Sequence, residues 1–253
     1  MWEAGPTARI SPGAAGAGLV TAVVLLATPM ARRYGPIPAA RFAAAAAGTL
    51  AAQQALVALA LRRQSRSGGP GRLSIVDLMT LSRGLAAAVL VGLIASGTRD
   101  RRGFAGWTGW LALVGGSVVC DWLDGPIARR LGTSPAGAVF DLEADSWLTL
   151  ATAVAAATWG GLPRFCLAAP GARYLLLARA LRALPYGQVF ASEPRWARWS
   201  GIAQMLLFTA ALAPFGGPFT RRAVRLAAPV VAPMQLGMMV AVHHRLGLGR
   251  LAR

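Results

Sequence analysis

The chain has 253 residues, of which 55% are hydrophobic and only 14% are charged, whereas a soluble domain carries about 25% charged residues. This composition excludes a soluble globular enzyme, a disordered chain and a secreted disulfide scaffold, and it predicts an integral membrane protein. All 26 basic residues are arginines and the net charge is +17. Because these arginines lie mostly in short loops between apolar segments, we expect contact with the head groups of a lipid bilayer and no binding of nucleic acid.

Eight apolar segments follow one another along the chain, and each approaches the roughly 20 residues that a helix needs to cross a bilayer. They are residues 13–31, 37–61, 73–97, 103–123, 136–160, 165–184, 197–215 and 223–243. No sustained alternation of apolar and polar residues indicates a strand. The sequence therefore predicts an all-α, multi-pass integral membrane protein.

The segment Arg62–Arg72 is rich in arginine, glycine and proline, and it divides the chain into two parts of different character. Residues 1–72 contain two apolar helices and, apart from Glu3, no acidic residue. Residues 73–253 contain six helices and nearly all of the acidic groups. If this loop is cytoplasmic, arginines are slightly more numerous on the cytoplasmic side, so we expect a multi-pass plasma-membrane protein in that orientation, with its active site on the cytoplasmic side.

Five of the nine acidic residues lie between positions 121 and 145, which is an unusual density for an apolar, basic chain. Asp121 and Asp124 are three residues apart, and Asp141 and Asp145 are four residues apart. Each spacing places both carboxylates on one face of a helix. With a short turn around Ser134 between the two helices, the four carboxylates converge at one end of a helix pair.

Four neighbouring carboxylates cannot all stay ionised without cations. Oxygen ligands without histidine or cysteine fit a hard divalent ion, Mg²⁺ or Mn²⁺, of the kind used with phosphate substrates. Arg129 offers a planar donor for a phosphate group. Gly125, Ala128 and Gly137 leave room for a flat group to approach the helix backbone.

Two other interpretations of the cluster are a set of interfacial carboxylates paired with loop arginines and the ion pathway of a divalent-cation transporter or channel. The first would account for one acid–base pair more easily than for four regularly spaced aspartates. The second is disfavoured because the acids gather at one helix end and no second acidic layer follows.

The segment Asp121–Asp145 resembles the signature of the CDP-alcohol phosphatidyltransferase family, D-x-x-D-G-x-x-A-R-x8-G-x-x-x-D-x-x-x-D. All eight fixed positions are present: Asp121, Asp124, Gly125, Ala128, Arg129, Gly137, Asp141 and Asp145. The one departure is that seven residues instead of eight separate Arg129 from Gly137. The resemblance implies a six-helix core at about residues 73–243, with the first two helices outside it.

The resemblance also implies an activity, namely transfer of a phosphatidyl group from a CDP-linked lipid such as CDP-diacylglycerol to a small alcohol acceptor, with release of CMP. Two Mg²⁺ or Mn²⁺ ions would be held by Asp121, Asp124 and Asp141. Asp145 would complete the second ion's shell and act as the general base. The sequence does not set the oligomeric state, and a homodimer is compatible with it.

Further substrate contacts are implied by the same family. Arg129 would bind the pyrophosphate, and Gly125 and Ser134 would line the cytidine side. Asp77 and Thr80 belong to the run Asp77-Leu-Met-Thr80-Leu-Ser-Arg83, which is similar to an N-x-x-T-x-x-R motif beside the nucleotide, with Asp77 in place of asparagine. Arg179 would contact an acceptor phosphate, although the lysine and the acidic residue expected near it are missing.

Overall fold

The computed structural model describes residues 12–66, 75–98, 113–117, 119, 123, 135–174, 195–213 and 217–245. Within these ranges the chain is helical with short links, and no strand occurs there. This confirms the predicted all-helical class. The chain separates into two compact units, Met1–Leu148 and Thr149–Arg253, and the division at residue 72 that we predict from the sequence remains a prediction.

The first unit begins with three helices, α1 (Pro12–Tyr34), α2 (Pro36–Arg66) and α3 (Ile75–Ser96). Gly35 separates α1 from α2 because it adopts a φ of +90°, which a residue with a side chain rarely does. Pro36 then opens α2 at a position where its missing N–H costs nothing. The link is therefore a single residue, and α1 packs along α2.

Helix α2 extends further than the sequence predicts. We expect a loop from residue 62, but the helix continues to Arg66. Residues 62–66 are Arg-Arg-Gln-Ser-Arg, and arginine and glutamine are good helix formers even when they are charged or polar. The strong helix breakers, Gly68, Gly69 and Pro70, come only after the observed end.

Close packing joins α2 to α3, although these helices lie on opposite sides of the predicted boundary. A Cβ atom at Gly92 of α3 would lie 2.8 Å from Cδ2 and 2.9 Å from the carbonyl oxygen of Phe42 in α2. The neighbouring positions of α3 are small, with Ala86, Ala87 and Ala88 all buried. Small residues let helix backbones approach closely where burial from water contributes little.

Helix α4 (Pro135–Thr158) begins in the first unit and ends in the second. The second unit continues with a 3₁₀ turn (Arg164–Leu167), a helical stretch at 168–174, α5 (Arg195–Leu212) and α6 (Pro218–Arg245). Its core is formed by small and apolar side chains: Ala153, Ala156, Leu162, Cys166, Leu207, Phe208, Val224, Ala228 and Ala232.

One segment in the described part of the chain, Pro218–Ala241 of α6, is long and apolar enough to cross a membrane. Two shorter apolar segments are Thr80–Ser96 in α3 and Trp199–Leu212 in α5. Large apolar side chains along α6, such as Phe219, Leu226 and Val230, are exposed, as expected for a helix that contacts lipid. The predicted number of spans and their orientation remain predictions.

Candidate active site

Helix α4 carries the second half of the acidic motif. Pro135 opens the helix, where a fixed φ and a missing N–H suit the first turn. Positions 141 and 145 are one turn apart on this continuous helix, so they share a face. The side chain of Asp145 is 45% exposed, which leaves its carboxylate within reach of a ligand from solvent.

Arg83 of α3 is in direct contact with Asp145. Its Nη1 atom donates a hydrogen bond to Oδ1 of Asp145 at 2.8 Å. Arg83 is only 1% exposed and is, among the described residues, the largest side chain that is almost completely buried. Because a guanidinium cannot lose its charge in a protein, its burial requires an anionic partner.

The pair fixes the position of one oxygen of the carboxylate, Oδ1. A charge-assisted hydrogen bond of this length is roughly twice as strong as one between neutral groups. Arginine is suited to this role because its planar donor group is rigid. Helix α3 thereby controls where the Asp145 carboxylate points.

Thr80 lies one turn before Arg83 on α3 and is also buried. Residues three apart share a face of a helix, so Thr80 and Arg83 both occupy the side of α3 that is covered by protein. Asp77 belongs to the first turn of the same helix, and its side chain lies outside the described structure.

The remaining predicted site residues fall mostly outside the described ranges. Gly137 and Asp141 have their backbone in α4, but the side chain of Asp141 is not among those described. Outside these ranges altogether are Asp121, Asp124, Gly125, Ala128, Arg129, Ser134 and Arg179. The structure therefore brings Asp145 to Arg83, and the convergence of the four aspartates stays a prediction.

The donor chemistry at this position fits a hard divalent cation. Asp145 offers a partly exposed carboxylate, and position 141 one turn earlier is a second aspartate. Oxygen donors of this kind suit Mg²⁺ or Mn²⁺. No cluster of three or more histidine, cysteine, aspartate or glutamate side chains occurs in the described part of the chain, so the full ligand set remains a prediction.

Sequence reasoning missed Arg83 as a site residue. The signal was present, since Arg83 is the last fixed position of the run that contains Asp77 and Thr80. Its partner could not be read from the sequence, because Asp145 follows 62 positions later and their contact depends on how α3 and α4 pack.

The motif agrees with the comparison against known families. The sequence model of the CDP-alcohol phosphatidyltransferases matches residues 73–242. Comparisons with curated proteins and with solved structures find no match. The matched family consists of membrane-associated enzymes of phospholipid biosynthesis that transfer a phosphatidyl group from a CDP-alcohol and use divalent cations. The match covers more than half of the chain, and we conclude that this protein belongs to the CDP-alcohol phosphatidyltransferase family.

Proposed function

We propose that this protein transfers a phosphatidyl group from CDP-diacylglycerol to a small alcohol and releases CMP. The observation that carries the proposal is the contact between Arg83 and Asp145. Arg83 is the last fixed residue of the motif that begins at Asp77, and Asp145 is the last fixed residue of the motif that begins at Asp121. Their contact supports a single site between α3 and α4 rather than two unrelated surface features.

The transfer is a displacement at phosphorus. The oxygen of the acceptor hydroxyl forms a bond to the phosphorus that carries diacylglycerol, and the bond from that same phosphorus to the bridging oxygen of the pyrophosphate breaks, so the bridging oxygen stays with CMP. CMP leaves with the electron pair of that bond. The hydroxyl proton goes to the carboxylate of Asp145, which acts as general base.

Asp121, Asp124, Asp141 and Asp145 would hold two divalent cations. Bound there, these ions would neutralise the pyrophosphate and polarise the attacked phosphorus. Arg129 would bind the pyrophosphate through its planar donors. Gly125, Ala128 and Gly137 would leave room for the nucleotide, with Ser134, Asp77 and Thr80 beside it, and Arg179 would contact a phosphorylated acceptor.

Arg83 contributes to the reaction by orienting the general base, Asp145. Arg83 holds Oδ1 of Asp145, so the carboxylate does not need to be ordered when the acceptor arrives. Pre-ordering of a reacting group is one of the larger sources of rate enhancement. The same pairing keeps the buried guanidinium balanced by a negative charge.

The test uses the purified full chain in detergent or lipid nanodiscs. CDP-diacylglycerol is supplied with Mg²⁺ or Mn²⁺ and a panel of acceptors: glycerol phosphate, inositol phosphate, serine and an amino alcohol. We expect CMP release that depends on one acceptor, with a lipid product of the corresponding mass. Mn²⁺ uptake into proteoliposomes without CMP release under any condition would instead favour a cation transporter.

A further inference from the structure

Gln53 of α2 makes a side-chain hydrogen bond to the backbone of α3. Its Nε2 atom donates to the carbonyl oxygen of Gly84 at 3.1 Å. Gln53 is only 7% exposed, so the bond forms away from water, where a lost partner is costly. Residues before position 73 lie outside the region matched by the family.

Gln53 can approach the α3 backbone this closely because Gly84 has no side chain. A Cβ atom built at Gly84 would collide with Oε1 of Gln53. The amide of Gln53 therefore sits directly against the α3 backbone. This contact ties α3 to α2 at the turn that carries Arg83.

The residue before Gly84 is Arg83, whose guanidinium holds Asp145. A continuous set of contacts thus runs from Gln53 to the Gly84 carbonyl, through one peptide unit to Arg83, and on to the Asp145 carboxylate. All four residues belong to the first compact unit. A rotation of α3 by a few degrees would move the far end of the long Arg83 side chain.

We propose that Gln53 is a positioning residue for the general base, and that the N-terminal helices are part of the catalytic apparatus of this protein. The inference rests on the proposed function, since it assigns Asp145 the role of base. Gln53 acts only through Arg83. Its removal changes the turnover step and leaves binding of the CDP-lipid unaltered.

The central variant is Gln53→Met, which keeps the length of the side chain and removes the amide donor. The matched control is Thr49→Val, one turn earlier on α2. Thr49 is also 7% exposed, but its hydroxyl donates to the Ala45 carbonyl within its own helix at 2.9 Å. Both changes remove one hydrogen bond from a buried position, and only the bond of Gln53 reaches α3.

We expect Gln53→Met to lower kcat by roughly tenfold, with KM for CDP-diacylglycerol unchanged, because small misplacements of a reacting group are costly. Thr49→Val should leave kcat unchanged. If Gln53→Met does not fold, Gln53→Asn serves the same purpose, since its amide is one methylene too short to reach Gly84. A normal kcat in the folded Gln53 variant overturns the proposal.

A double-mutant cycle tests the route through Arg83. In an Arg83→Met background the link to Asp145 is already cut, so Gln53→Met should lower kcat little further. An equal loss in both backgrounds would mean that Gln53 acts independently of Arg83, which overturns the proposal.

Hydrogen–deuterium exchange provides a readout that needs no turnover. Gln53→Met should increase exchange in peptides that cover residues 80–90 and 141–148, whereas Thr49→Val should increase it only within α2. If the unaltered protein released no CMP but this exchange pattern appeared, the proposed function would fail while the coupling stood. CMP release by the unaltered protein together with unchanged exchange at 141–148 in Gln53→Met would overturn the coupling alone.

Discussion

Arg83 and Asp145 lie 62 positions apart in the chain and are joined by a 2.8 Å ion pair. One partner is almost completely buried, and the other is nearly half exposed. The arginine is therefore fixed by its surroundings, and the carboxylate is held while part of its surface remains accessible. This asymmetry suits a reactive group that must be both oriented and accessible.

The first prediction concerns Arg83. We expect Arg83→Met to lower kcat by about a hundredfold, because the base loses its orientation. The melting temperature should fall as well, by an amount corresponding to about 2 kcal/mol, which is less than for a fully buried pair because water can solvate Asp145 once it is alone. Arg83→Lys should keep more activity than Arg83→Met, since it retains the charge.

The matched control for Arg83 is Arg222→Met, which removes an arginine that is exposed on α6. It should leave both kcat and the melting temperature close to those of the unaltered protein. Equal activity in Arg83→Met and Arg222→Met would show that the ion pair has no part in turnover.

The second prediction separates the base from the cation ligands. Asp145→Asn should lower kcat by about a thousandfold, within the usual range for loss of a general base, while CDP-lipid still binds. Asp121→Asn and Asp141→Asn should weaken binding of metal and nucleotide as well, because ligands act already in the ground state. Equilibrium binding of a CDP-lipid and steady-state CMP release measure the two effects. Near-normal turnover by Asp145→Asn would rule out its role as base.

The third prediction concerns the metal. Turnover should disappear in excess EDTA and return when Mg²⁺ or Mn²⁺ is added, because the four aspartates proposed as ligands would form an all-oxygen ligand set. The Asp124→Asn variant should need a higher concentration of cation for half-maximal rate. Full activity that persists after dialysis against chelator would argue against any metal in the reaction.

The fourth prediction tests the packing of α2 on α3. Gly92→Ala should destabilise the protein by roughly 1–3 kcal/mol, because the new methyl group meets both the ring and the carbonyl oxygen of Phe42. Phe42→Ala in the same chain should relieve only part of this loss, since the backbone oxygen stays in place. Gly48→Ala is the control, because no atom lies within 4 Å of a Cβ there. Melting curves of the purified variants in one detergent give the comparison, and equal stability of the two alanine variants would contradict the observed packing.

Sequence patterns predict much of the helical architecture because apolar segments and helix breakers are local features. The predicted segment 136–160 corresponds to Pro135–Thr158, and 13–31 corresponds to Pro12–Tyr34. The end of α2 differs from the predicted one because Arg62–Arg66, which precede the glycines and the proline of the predicted loop, continue the helix, and arginine is a good helix former. The predicted spacing of Asp141 and Asp145 on one helix is likewise a local property.

The contacts that organise the site are not local, and no spacing rule could supply them. Arg83 and Asp145 come from two helices whose relative rotation depends on every packed residue between them. Gln53 looks like an ordinary polar residue in an alanine-rich segment. Only the approach of α2 to α3 reveals that its amide is directed at a helix carbonyl.

The contact between Gln53 and Gly84 has a consequence for the natural variation of this protein. As long as position 53 carries a long amide, position 84 cannot acquire even a methyl group without displacing it. A relative that lacked the N-terminal helices would be released from this restriction and could accept alanine or serine there. We therefore expect positions 53 and 84 to change together during evolution, with glycine at 84 retained in the lineages that keep the glutamine.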